Sequence, residues 1–425
     1  MDFTRREMLG MSAAGLLLPR PLMAAPAAGG MKFLFIYCYG GWDTSLIFAP
    51  ADHIVGGHTQ PGCTLAEAGT LTYVDHDERP SVRSFMEQYW DRTCIINGIE
   101  VSSITHEMCS RLLLTGSRSV RSDDWPSIIA ALDTSERMLP HVVLNGPAFN
   151  DQYTSRVVRI GTAGQLPGLL DGSSMDDSDL IARLPSSAVE RLEEAFVKEQ
   201  LELLRDVGGR GERHQRWLQE YQRALKDGEQ LQALGDSLNL APFGTTCGVD
   251  VPTFASTALD CFEAGQSRCA MIEYNGFCNI GWDSHVVNDP TQSQHFGELF
   301  DYLLMVMEDL DGRPGEVADS LAEEVTIVLC SEMGRHPALN AWEGRDHWTV
   351  TSTVLIGPAV QGGRAVGAVS DQGKGEPVDL DTADLTDGGT SLTAAHLGAT
   401  LLAMADIDPS EHVESTISPL AGVMK

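Results

Sequence analysis

The stretch that decides the fold is Val325-Thr326-Ile327-Val328-Leu329-Cys330-Ser331-Glu332-Met333-Gly334-Arg335-His336, followed by Gly344-Arg345-Asp346-His347-Trp348. Its first six residues are apolar or β-branched without alternation, which predicts a strand covered on both faces, as in a parallel sheet flanked by helices. Glu332 then falls at the carboxyl end of that strand, where open α/β sheets place their sites. A carboxylate there, with an Asp-His pair a little further on, offers oxygen and imidazole ligands to one cation or two. The same residues also read as a plain loop, with Glu332 paired to Arg335 and His347 packed under Trp348.

A second continuous run, Lys32-Phe33-Leu34-Phe35-Ile36-Tyr37-Cys38-Tyr39, ends in Gly40-Gly41-Trp42-Asp43. The glycines allow a sharp turn, leaving Asp43 at the same rim as Glu332, either as a ligand or as the cap of the next helix. Thr93 to Val101 predicts a further strand, and His106 then opens a helix that stops at Thr115-Gly116. His141 to Gly146 and Val157 to Gly161 predict short strands. Asp123-Asp124-Trp125-Pro126 predicts a helix start. Arg268 to Tyr274 predicts a strand leading to Gly281-Trp282-Asp283-Ser284-His285, where a carboxylate and an imidazole two residues apart face one point if the backbone is extended. Helices are expected from Gln292 to Asp311, with His295 on the surface, and from Ser391 to about Ala405. Residues 51 to 92 read as loop-rich, with His53, His58 and His76 as surface histidines.

Composition bounds the function. The chain has 425 residues, 43% of them hydrophobic, and a formal charge of -31, which disfavours nonspecific binding to nucleic acid or to an anionic membrane face. Thr4-Arg5-Arg6-Glu7-Met8-Leu9, an apolar stretch to Leu18 and an Ala-rich segment resemble a twin-arginine export signal over residues 1–30. That resemblance implies a periplasmic or secreted protein beginning near Ala25 to Met31. No later segment predicts a membrane span. From about 187 to 240 the chain is charged, with apolar residues at helical spacing, and predicts a helical insertion in a domain otherwise spanning 31–425. Nine cysteines without a Cys-x-x-Cys pair predict no disulfide framework, although Cys261 and Cys269 are a conceivable pair.

Gly40-Gly41-Trp42-Asp43, His106 before Thr115-Gly116, Asp283-Ser284-His285, Ser331 to Arg335, Gly344 to His347 and Gly357 to Gly363 together resemble the bacterial domain-of-unknown-function family number 1501. That family in turn is similar to the alkaline phosphatase and sulfatase superfamily. The resemblance implies an α/β fold, alkaline-phosphatase-like, with a central mostly parallel sheet flanked by helices and a hydrolytic metal site at its strand ends. It implies Asp43, Asp283, His285, Glu332 and His347 as metal ligands. The chain departs from the superfamily in two places. His106 stands where a nucleophilic Ser, Thr or Cys is usual, and Met333 where a ligand histidine is usual, so His106 is expected to supply the missing imidazole. Thr105 is then the reserve nucleophile. Arg335 and Arg345 are expected either to hold an anionic ester group or to pair with Asp346 or Glu343. The reading that follows is an exported hydrolase of phosphate or sulfate esters, acting through water activated by one or two divalent metal ions, Zn or Mn favoured, on a small anionic ester substrate. Its rival is a noncatalytic secreted binding or assembly protein on the same fold.

Overall fold

Two strands with no polar face can only lie where both faces are covered, and β1 (Lys32–Tyr37) and β6 (Val325–Cys330) pair in parallel at the middle of an eight-stranded sheet. The computed structural model describes residues 30–160, 187–206, 211, 214–223 and 249–425. The remaining strands are β2 (Thr93–Glu100), β3 (His141–Val143), β4 (Val157–Arg159), β5 (Cys269–Glu273), β7 (Val350–Ile356) and β8 (Arg364–Val366). The sheet order is β8-β2-β7-β6-β1-β5-β3-β4. Every pairing is parallel except those of β7, which runs antiparallel to both β2 and β6. The expected fold class, a mostly parallel sheet flanked by helices, is the one observed.

Alternation along the strands divides the core in two. Leu34, Ile36, Ile327 and Leu329 face one apolar cluster, filled by Val82 and Phe85 of the Pro80–Tyr89 helix, Phe254 and Leu259 of Val251–Glu263, and Phe296 and Leu303 of Asn288–Gly312. Phe33, Phe35, Val328 and Cys330 face the other, with Cys109 and Leu113 of His106–Thr115, Ile129 of Trp125–Ala131, and Leu401 of Ala394–Met404. Both predicted caps are present: Asp124 accepts from the Ser127 N–H, and Gly116 takes a left-handed φ of 64° after Thr115.

Several expectations are corrected. Residues 51 to 92 contain a hairpin, Thr64–Ala68 with Leu71–Asp75, and the Pro80–Tyr89 helix, whose Val82, Phe85, Met86 and Tyr89 lie at helical spacing. His76 is buried, and His295 is 0% exposed within the Asn288–Gly312 helix rather than on its surface. Cys261 and Cys269 are free and buried, while Cys278 is disulfide-bonded. The expected export signal lies outside the described residues except for Gly30. Within the expected insertion, helices are described at Ser187–Asp206 and over 214–223. Residues 167–178, which the sequence reads as an acidic loop, and 208–210, read with Gly211 as the break in a helical hairpin, lie outside the described residues. Among the described residues no helix is long and apolar enough to cross a membrane.

The rim at which the parallel strands end is also the rim at which antiparallel β7 begins, with Val350 opposite Glu100 of β2. The sheet therefore gathers four segments at one edge: Gly40 to Asp43 after β1, His106 after β2, Asp283 to His285 after β5 and Glu332 after β6. His347 arrives there from the other direction, just ahead of β7. Gly40 makes a close approach, since at its φ of 121° a Cβ would lie 2.7 Å from the backbone nitrogen of Asp283. Gly40→Ala is therefore expected to lower stability by about 1–3 kcal/mol, read as a reduced midpoint in denaturant unfolding. An unchanged midpoint would show that the two loops need not touch.

Candidate metal centre

His106 is the first residue of its helix, following Thr105 in extended conformation. Asp283 and His285 sit on the loop after β5, whose turn is held by His295: its Nδ1 accepts from the Phe277 N–H at 3.0 Å and its Nε2 lies 3.0 Å from the Gly281 carbonyl. Burial pushes the His295 imidazole down to about 4, so it serves this turn as a neutral ring. His347 pairs across a short antiparallel ladder with Arg335, which fixes the loop between them.

Ligand atoms of His106, Asp283 and His347 lie within 4.8 Å of one another. The Nε2 atoms of His285 and His347 are 3.0 Å apart, and each is 3.2 Å from Asp283 Oδ1. His106 Nε2 is buried, 3.4 Å from Asp283 Oδ2, and makes no hydrogen bond. Each imidazole is anchored on its far side. His106 Nδ1 lies 2.7 Å from Glu332 Oε1, His285 Nδ1 lies 3.1 Å from Asp346 Oδ1, and His347 Nδ1 lies 2.7 Å from the Ile104 carbonyl. An ionised carboxylate and a carbonyl only accept, so each Nδ1 carries the hydrogen, and a neutral ring then turns its Nε2 lone pair inward. Two imidazoles and a carboxylate with ligand atoms within 4.8 Å of one another, a third imidazole adjoining them and each ring oriented by an outer oxygen, match the way proteins hold a transition metal. Without a cation, two facing Nε2 atoms at 3.0 Å need a proton between them.

The carboxylates favour positive charge at this point. The His106 imidazole is raised from its usual 6.5 to about 9 by Asp283 and Glu332, against the opposing effect of burial. For Asp283, burial pushes the carboxyl upward, but His106, His347 and Arg335 outweigh it and hold it well below the usual carboxylate range.

The sequence-derived residues separate into two groups. His106, Asp283, His285 and His347 come together. Glu332 is 0% exposed behind His106, where it accepts from the Gly40 N–H at 2.8 Å and from the Ser331 hydroxyl at 3.2 Å. Asp43 stands apart from the cluster. It caps the Thr44–Leu46 turn through Ser45, accepts from Asn288 at 2.7 Å, and lies 2.9 Å from Nε of buried Arg345. That contact is an ion pair without hydrogen-bond alignment. Arg345 otherwise donates to the carbonyls of His336, Pro337 and His58. Arg335 is buried too, donating to the carbonyls of Gly40, Gly41 and Arg345 and, at 2.6 Å, to Asp283 Oδ1. Both guanidiniums are thus engaged in holding loops. Thr105 is exposed, and Met333 is buried in the core.

Sequence reasoning missed the polar layer beneath the cluster. Gln292 bonds the Asp43 N–H and the Gly41 and Trp282 carbonyls, and Asn288 bonds Ser284. Asn340 donates to the His285 carbonyl at 3.0 Å. The start of the helix was expected at Gln292 itself, which concealed the inward face of its first turn.

Two outcomes follow for the metal-free protein. Asp43→Ala leaves the Arg345 charge buried and is expected to cost about 3–5 kcal/mol of stability, measured by denaturant unfolding; a loss below about 1 kcal/mol would mean that the pair is dispensable. Because His106 is raised on folding, its stabilising contribution is complete below pH 6.5 and is lost as pH climbs through about 9. His106→Gln is expected to flatten that stretch of the stability profile, and an unaltered profile would dissociate His106 from it.

No curated protein matches the sequence. Among solved structures, the chain is similar to a protein in the alkaline phosphatase superfamily from Vibrio parahaemolyticus, at 9% identity and a TM-score of 0.37, covering 96% of this chain and 76% of that one. Residues 32–386, well over half the chain, match a family described as protein of unknown function (DUF1501), and it is to this family that the chain belongs.

Proposed function

We propose that this protein is an exported metal-dependent hydrolase of phosphate or sulfate esters, with His106, Asp283 and His347 binding a divalent cation and His285 adjoining them. The observation that carries the reading is the common orientation of three imidazoles, each with Nδ1 against an outer oxygen and Nε2 toward Asp283. Two nitrogen donors and a carboxylate, with a third imidazole adjoining, suit Zn or Mn better than an oxygen-preferring ion. A divalent cation held by these residues would supply Lewis acidity, lowering the pKa of water and offering positive charge to an oxyanion.

The chain's own residues have separate tasks. Glu332 orients His106 and makes its ring a better donor, as an outer carboxylate does for a ligating histidine. Arg335 fixes the Asp283 carboxylate, and Asp346 fixes His285. Because both arginines are spent on loops, an anionic ester depends on the cation for its countercharge. Water is favoured as nucleophile because the residue that opens the helix is an imidazole, already anchored by Glu332. Thr105, which precedes it in the chain, places an exposed hydroxyl beside it. The Arg5-Arg6 segment supports export.

The test is metal analysis of protein folded in the cell, with a screen of aryl phosphates and sulfates. About one equivalent of Zn or Mn is expected, with Asp283→Asn and His347→Ala lowering metal affinity by roughly tenfold or more and abolishing turnover. A folded, metal-free protein would sink the proposal, and metal without hydrolysis of any ester would favour the noncatalytic binding protein. Thr105→Val is expected to leave turnover within severalfold; a fall on the order of 10^4–10^6 would make Thr105 the nucleophile instead.

A further inference from the structure

Val287 is in the wrong conformation for its residue type. Its φ of 50° and ψ of 57° are left-handed, which β-branched side chains rarely adopt and which glycine or asparagine would take without strain. Strain of this kind is tolerated when packing repays it, yet Val287 is 46% exposed. Burial of its side chain does not repay that strain, which leaves the side chain free to meet something outside the fold.

Its surroundings indicate what. Val287 lies two residues after His285, and its N–H donates to the carbonyl of Trp342 at 3.1 Å. Trp342 is 70% exposed and Val286 57%. Two further exposed apolar residues are attached to the cluster by backbone: Ile104, whose carbonyl holds His347, and Ile280, in the turn before Asp283. Isolated apolar side chains on a surface are ordinary, but five carried by the segments that deliver the metal-site residues are not.

Nor does looseness account for the exposure. The arms 284–288 and 342–346 are fastened by an isolated bridge between Val286 and Glu343, by the Asn288 N–H to the Glu343 carbonyl at 2.8 Å, and by the Arg345 N–H to the Ser284 carbonyl at 3.0 Å. They are pressed so closely that a Cβ on Gly344 would meet the His285 carbonyl oxygen at 1.9 Å. Trp342 and Val287 are thus held out at fixed positions beside the cluster.

We propose that Val287 and Trp342, with Val286 and Ile104, form an apolar subsite that receives a hydrophobic group on the ester substrate. This rests on the hydrolase reading above. An apolar group seated there loses its water contact, while the ester end is presented to His106, Asp283 and His347.

The metal-loaded protein, Val287→Asn and Trp342→Ala are compared on phenyl and 4-butylphenyl phosphates and sulfates. The two leaving groups have nearly the same acidity, so the mutant-to-wild-type ratio for each ester isolates recognition. Either substitution is expected to lower kcat/KM for the butylphenyl ester by about tenfold, and for the phenyl ester by much less. Val287→Asn is expected to keep or raise Tm, which separates lost recognition from misfolding. Equal losses on both esters, or none, overturn this inference and leave the hydrolase reading standing. No turnover of any of the four esters by metal-loaded wild-type protein overturns both.

Discussion

The guanidinium of Arg335 is the point on which the rim depends. One planar group donates to the Gly40, Gly41 and Arg345 carbonyls and to Asp283 Oδ1, so the segments after β1 and β5 and the loop before β7 meet on a single buried side chain. A rigid fork of donors suits this task, whereas a lysine ammonium would present a point charge without fixed directions. Asp283 gains its orientation from that contact, and the cluster gains Asp283.

A second layer repeats the principle with different chemistry. Glu332 is fully buried, yet both its oxygens are occupied, by the Gly40 N–H and His106 on one side and by the Ser331 hydroxyl on the other. A buried carboxylate so bonded does not need to bind a cation itself in order to shape a metal site; it can act through the imidazole it aligns. Asp43 and Arg345 form a separate buried pair that secures the neighbouring loop, with Gln292 and Asn288 filling the remaining bonds. The rim is therefore a stack: packed strands below, a satisfied polar layer above them, then inward-turned imidazoles, with strained and exposed apolar residues outermost. The proposed chemistry depends on the lower layers being rigid, because ligands must keep their positions to within about 0.5 Å.

Much of this was legible from residue order. The continuous apolar runs at Lys32–Tyr37 and Val325–Cys330 specified buried parallel strands, and their carboxyl ends located Glu332 and the Gly40-Gly41 turn. The cap signals at Asp124 and Gly116 emerged as read. The Pro80–Tyr89 helix lies in a stretch that reads as loop-rich, although its apolar residues repeat at helical spacing. His295 was assigned to the surface since a polar residue within an apolar stripe has no one-dimensional signal for burial; its two backbone partners, Phe277 and Gly281, come from a turn that folds over it.

By itself the sequence determined which residue types stand at the ends of which strands, because strand and helix patterns are local and each motif carries its own turn chemistry. Only the tertiary structure decided their roles. His106 and Glu332 are 226 positions apart, and Asp43 and Arg345 meet across the sheet. No spacing rule reveals which carboxylate a distant guanidinium or imidazole will claim. A buried charge takes the partner that the packed strands bring within reach, so the same Asp or Glu becomes a loop clamp, a ring orienter or a carboxylate facing the histidine cluster according to what the fold sets opposite it.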